Sequence, residues 1–271
     1  MVRPLPKGAW DAQVHVFGGP YPLSPQRAYD PPPNSDFDAM VAMHRQFGFD
    51  HGVVVQAAAQ GFETRYVADV LRRVPHYAGV ILMNDRITDR ELADLHAAGV
   101  RGGRFVFLPG YEVKPDFSTV KRALPRLREL GWFVKIFATA SDWVGLKPYL
   151  DDVDFPIMID HLGYIDPSAG MEQPAMKIIL EFLKRDNWWM MLSCGDRISK
   201  VADWSDVAPY AQAFIKAAPD RVVWGSDWPH VAHGGHEPSN ESVFNLLFSY
   251  TQDDKQLEKI FALNPPRFFK R

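Results

Sequence analysis

One short pattern recurs along the whole chain: a run of five to seven mostly apolar residues, often β-branched, followed by a longer amphipathic stretch. The runs are DAQVHV (11–16), GVVVQ (52–56), AGVILM (78–83), RGGRFVF (101–107), WFVKIF (132–137), PIMID (156–160), WWMML (188–192) and RVVWG (221–225). Strands this continuously apolar require burial on both faces, which is the situation of a parallel sheet covered by helices. Helical periodicity fills the intervals at 35–48, 63–74, 116–131, 173–186 and 206–219. Eight such units over about 250 residues predict a (β/α)8 barrel. A doubly wound open sheet is the alternative, but the turn after the first run lacks the glycine-rich phosphate fingerprint that class often carries. No Gly/Ser-rich linker interrupts the repeat, so a single domain over 1–271 is expected.

Composition narrows the partners. With 46% hydrophobic and 23% charged residues, the chain can bury a large core. A net charge of -3 without any dense Lys/Arg tract argues against nucleic acid. The lone cysteine, Cys194, cannot form an intrachain disulfide; it is expected to be a small buried hydrophobe in a reducing compartment. The opening MVRPLPKGAW has no apolar run, and no stretch approaches membrane-spanning length. A cytoplasmic protein with a small-molecule partner is expected, with no nucleic acid or membrane partner. Homo-oligomerisation stays open.

In such a barrel, polar residues at the C-terminal ends of buried strands demand an explanation, because burying them unpaired is costly. Gln13 and His15 sit two apart on the first run and share a face. Arg101 and Arg104 lie on the fourth, Asp160 and His161 at the end of the sixth, Arg197 beyond the seventh, and Asp227 and His230 beyond the eighth. Any one alone reads as a structural hydrogen-bonder. The joint placement of His15, His161 and Asp227 at one end of the barrel predicts a catalytic mouth. Asp160, pointing away from its neighbour His161, is expected to tie a helix N-terminus. His233 and His236 read as solvated. The long segments 17–34 and 231–240 both follow strands and are expected to form the rim.

These residues resemble the amidohydrolase superfamily, in particular the branch that contains the pyrone-dicarboxylate lactonases and sugar-lactone isomerases. DAQVHVFGGPYPLSPQRAY, FGFDHGVVVQA, GVRGGRFVF, MIDHLG, RVVWGSDWPH and the closing NPPRFF fall in that branch's order over nearly the whole chain. The most specific of them is GSDWPH. The resemblance implies hydrolysis of a lactone without a metal or other cofactor. Asp227 would then activate water, while His15 and His161 polarise the carbonyl. His230 would orient Asp227 or the leaving group, and Arg104 and Arg197 would hold substrate carboxylate.

Departures from the branch pattern bear on the substrate. Gly110 and Tyr164 stand where arginines are expected, Phe137 where a tyrosine is, and Ala58 where a hydroxyl is. Fewer anion contacts predict a substrate less charged than a pyrone dicarboxylate, with Gln13, Phe137 and Tyr164 lining its site. Gln13 also replaces the first histidine of the His-x-His that metal-dependent relatives carry on this strand. Since zinc favours imidazole, thiolate and carboxylate over a neutral amide, no metal is expected. Trp224 and Trp228 are expected to desolvate Asp227 and raise its pKa. Lactone isomerisation, a metal-dependent amidohydrolase or decarboxylase, and a non-catalytic binding barrel remain the alternatives.

Overall fold

The computed structural model describes residues 3–112, 114–233 and 235–269. Each apolar run is a strand: β1 (Trp10–Val14), β2 (His51–Val55), β3 (Ala78–Leu82), β4 (Val100–Val106), β5 (Phe133–Phe137), β6 (Ile157–Ile159), β7 (Trp188–Leu192) and β8 (Val222–Trp224). All pair in parallel, in sequence order, within one eight-stranded sheet. Closure comes from the segment just past β8. Val14 bridges Trp228, the His15 N–H donates to the Trp228 carbonyl at 2.7 Å, and the Asp227 N–H donates to the Gln13 carbonyl at 3.0 Å. The expected barrel is the observed one.

Around it run α1 (Phe37–Phe47), α2 (Arg65–Arg73), α3 (Asp89–Ala98), α4 (Phe117–Glu129), α5 (Ala140–Leu150), α6 (Pro174–Phe182), the single turn α7 (Gly195–Ile198), α8 (Ala208–Ala217) and α9 (Asn240–Tyr250). Their ends obey local chemistry. Asp36 caps α1 by accepting from the Ala39 N–H, and Gly48 stops it at φ 85°. Thr88 and Glu91 form a reciprocal capping box on α3. Among the described residues no helix is long and apolar enough to cross a membrane.

Two apolar layers result. One is the jacket between strands and helices. The other fills the barrel's lower interior with Trp10, Ala12, Val53, Phe133, Met158 and Trp189, closed below by Phe268 and Phe269. The strand glycine Gly102 leaves room for this filling, since a Cβ there would lie 2.3 Å from the Phe133 ring. At the other end the β1–β2 register shifts between Asp11 and Val14. Asp11 faces outward, accepts from the Ser226 N–H at 2.9 Å and from the Ser226 hydroxyl at 2.5 Å, and meets His44 of α1 at 3.3 Å. Gly225 lets the segment beyond β8 run this close to β1, because a Cβ there would lie 2.8 Å from the Gln13 backbone nitrogen.

Candidate active site

Above the apolar filling, the strand ends bring polar groups into one buried cluster around Asp227, which is 2% exposed. Its Oδ1 accepts from the Gln13 amide at 2.8 Å and lies 3.1 Å from His15 Nε2. Its Oδ2 accepts from Arg197 Nη2 at 2.6 Å and from the Cys194 thiol at 3.1 Å. Donors from the end of β1, the β7–α7 turn and α7 itself therefore converge on one carboxylate. His161, Cys194 and Asp227 all hold left-handed φ values, 51°, 57° and 55°. That region is sparsely populated by non-glycine residues and is retained where the surroundings fix it.

The electrostatics of Asp227 run opposite to the expectation from its flanking tryptophans. Burial pushes its pKa up, but His161, Arg197 and the hydrogen bond from His15 outweigh burial and hold it well below the usual carboxylate range. Trp224 is not beside it. Neighbouring strand residues face opposite ways, and Trp224 stacks on Phe49 in the outer jacket with ring centroids 5.8 Å apart.

The two histidines have different hydrogen-bond tasks. His15 has its Nδ1 on the Val55 carbonyl at 2.8 Å and its Nε2 on the Asp227 carboxylate. Both neighbours of this ring are acceptors. His161 Nε2 faces two donors, Arg104 Nη2 at 2.8 Å and the Gln13 amide nitrogen at 3.2 Å, so it accepts. The proton then sits on Nδ1, opposite the Ser193 hydroxyl at 2.8 Å. Burial, the largest influence, lowers the His161 pKa to about 3, consistent with a neutral ring.

On the opposite wall Asp160 is fully buried and makes no helix-capping bond; the expected N-terminal tie is absent. Instead it accepts from Arg104 Nε at 2.8 Å and faces the Lys135 ammonium at 3.1 Å. Burial raises its pKa, but Lys135 and Arg104 overcome this and bring it down to about 2. Lys135, fully buried on β5, also donates to Gln13 Oε1. Phe137 packs edge-on against His161, at 4.5 Å between centroids, and against Tyr164, at 5.1 Å.

Gln13, His15, Arg104, Phe137, His161, Tyr164, Arg197 and Asp227 thus share one site. His230 stands apart: its Nε2 bonds Asn240 Oδ1 at 2.8 Å, and its link to Asp227 is through the backbone, at 2.9 Å. Arg101 lies at the other end of β4, bonded to the His96 and Val100 carbonyls. His233 pairs with Asp196 at 3.0 Å and is not simply solvated, whereas His236 is exposed. Gly234, in the 231–240 segment, lies outside the described residues. Cys194, expected to be a plain hydrophobe, instead bonds Asp227 and sits 3.0 Å from His161 Nδ1. Sequence reasoning missed Lys135 and the rim tyrosines Tyr29 and Tyr111, whose rings meet edge-on at 6.4 Å. Burial raises the pKa of both phenols, while Arg197 and Arg104 pull it back.

His161, Cys194 and Asp227 can place one ligand atom each within 4.8 Å of one another, the one such triangle among the described residues. They fit a metal poorly. The His161 Nε2 lone pair and both carboxylate oxygens already receive N–H donors from Arg104, Gln13, His15 and Arg197. The oxygen of Gln13, its only metal-binding atom, is turned to Lys135.

A family model described as amidohydrolase matches residues 9–271. This chain belongs to that amidohydrolase family. The amidohydrolase is 34% identical to a 4-sulfomuconolactone hydrolase of Rhizobium radiobacter over 98% of its own length and 91% of the relative's. It is 31% identical to a 2-pyrone-4,6-dicarboxylate hydrolase of Comamonas testosteroni, again over 98% and 91%. To a D-galactarolactone isomerase of Agrobacterium fabrum it is 25% identical, over 98% and 92%. Its relatives are therefore lactone hydrolases, with a lactone isomerase among the more distant ones.

Proposed function

We propose that this amidohydrolase opens a lactone by hydrolysis, with Asp227 as the base and no metal ion. The observation that carries this reading is the setting of the Asp227 carboxylate, charged, buried and held by four donors that fix its orientation. A lactone is an activated ester, so its opening needs a positioned base, a donor at the developing oxyanion and a fixed substrate. Water attacks the carbonyl carbon and Asp227 takes its proton. The ring C–O bond then breaks, the proton passes from Asp227 to the departing ring oxygen, and the new carboxylic acid loses its remaining proton to solvent as a carboxylate. His15, whose Nε2 lies beside the Asp227 carboxylate, is the carbonyl-polarising group, its Nε2–H turning from Asp227 to the substrate carbonyl oxygen. His161, whose Nε2 accepts, acts instead by anchoring Arg104.

Arg197 links binding to chemistry. Its Nη2 holds Asp227, while its Nε is buried without a hydrogen-bond partner. A substrate carboxylate that recruits this guanidinium competes with Asp227 for it, which raises the basicity of Asp227 as the substrate arrives. Arg104 is occupied by Asp160 and His161, so one substrate carboxylate is accommodated better than two. The rim phenols of Tyr29, Tyr111 and Tyr164 suit a less charged ring.

The test is a panel of neutral, mono-acid and dicarboxylate lactones turned over in heavy-oxygen water with and without a strong chelator. Hydrolysis places solvent oxygen in the product carboxylate, is insensitive to chelation, and favours the mono-acid or neutral substrates. Product without solvent oxygen would assign lactone isomerisation instead. Activity lost on chelation and restored by one divalent ion would overturn the metal-free mechanism.

A further inference from the structure

The hydrolysis gives Lys135 no task, yet this side chain is fully buried at the centre of the lumen. Burying an ammonium is expensive, and burial lowers its pKa. Charge balance with Asp160 does not require it, because Arg104 already pairs with that carboxylate at 2.8 Å. What the ammonium settles is the orientation of Gln13. A primary amide presents an acceptor at one end and donors at the other, and an ammonium can only donate. With Lys135 on Oε1, the NH2 end must face Asp227 Oδ1 at 2.8 Å and His161 Nε2 at 3.2 Å. The flipped amide would set oxygen against carboxylate oxygen and NH2 against ammonium, two repulsions in a buried site.

We propose that Lys135 is a positioning residue that locks the Gln13 amide with its N–H end on Asp227. The strand-one position then supplies a donor to the base where a metal site would need a lone pair. Lys135 acts through Gln13 and touches no substrate. The inference rests on the reading of Asp227 as the base, but one of its tests needs no turnover.

That test is hydrogen exchange of the Gln13 side-chain amide by NMR, the resonance being assigned by its loss in Gln13→Leu. Exchange should be slow in the native protein and at least about tenfold faster in Lys135→Met, as expected when a buried hydrogen bond opens more readily. Unchanged exchange overturns the lock whether or not the protein is a lactonase. The second test is a double-mutant cycle on lactone turnover. Lys135→Met should lower kcat about ten- to a hundredfold, the usual scale for an outer-layer partner, with little change in KM. Lys135→Met with Gln13→Leu should be no slower than Gln13→Leu alone. Additive losses overturn the proposal and assign Lys135 a role through Asp160. Should Lys135→Met fold poorly, Lys135→Met with Asp160→Asn removes both charges, and the same cycle is run in that background.

Discussion

The lower and upper halves of the barrel interior are built from the same strands and share almost no chemistry. On β1, Trp10 and Ala12 belong to the apolar filling, while Gln13 reaches the polar cluster. On β5, Phe133 packs on Phe268 and Phe269, and Lys135, two residues on, is an ion. Two residues of strand are about 7 Å, so the interior passes from oil to salt within one layer of side chains. The comparison teaches that stability and chemistry are stacked in layers along each strand. The lower half holds the molecule together. The upper half contains two carboxylates and three cations whose burial is tolerated only because each has partners.

That division can be broken from either side. Phe269→Ala, at a fully buried ring against Trp10 and Phe133, should cost about 3–5 kcal/mol of unfolding free energy. It should leave kcat of the surviving folded protein nearly unchanged, as read by denaturant titration beside turnover. Asp227→Asn should do the reverse, lowering kcat by roughly a hundredfold or more, the scale of a general base, while the circular dichroism spectrum and KM stay near native. A lower-half variant that lost turnover while folded would refute the layering.

The upper half should also carry its own pH signature. His161, neutral in the fold down to about pH 3, takes up a proton near pH 6.5 once unfolded. The unfolded chain thus binds more protons in between, and stability falls as pH drops from about 6.5 towards 3. Asp160, at about 2 in the fold, adds a loss of the same sign between about pH 4 and 2. Melting temperature against pH should flatten in the upper window for His161→Gln and in the lower one for Asp160→Asn. The smallest effect belongs to the rim: Tyr111→Phe should raise KM by a few-fold at most, the weight of a single hydrogen bond, with kcat unchanged.

The sequence made the barrel legible because burial on both strand faces leaves an unbroken apolar run, and all eight runs became strands within two residues of their expected ends. His15, His161, Arg197 and Asp227 were legible because polar residues at such strand ends have little else to explain them. Lys135 was not. A lysine within WFVKIF reads only as a break in an apolar run, and its partners at Gln13 and Asp160 are what give it meaning. Tyr29 and Tyr111 sit on irregular loops, where no period places a side chain. The direction of the Asp227 shift is not legible in the sequence because chain neighbours are not spatial ones; Trp224, three residues before it, packs in the outer jacket.

Barrel closure has one further consequence, for the timing of function. The bonds from Asp227 to Gln13 and from His15 to Trp228 span more than two hundred residues, so they are among the most non-local contacts in the molecule and expensive in loop entropy. Until the eighth strand docks on the first, neither Asp227 nor its donors from the first strand have a defined position. A chain released early from the ribosome, or nicked anywhere that keeps β8 from docking, has no weakened version of the site to offer. Turnover therefore requires that the barrel has closed, and catalytic activity can serve as a stringent readout of that closure.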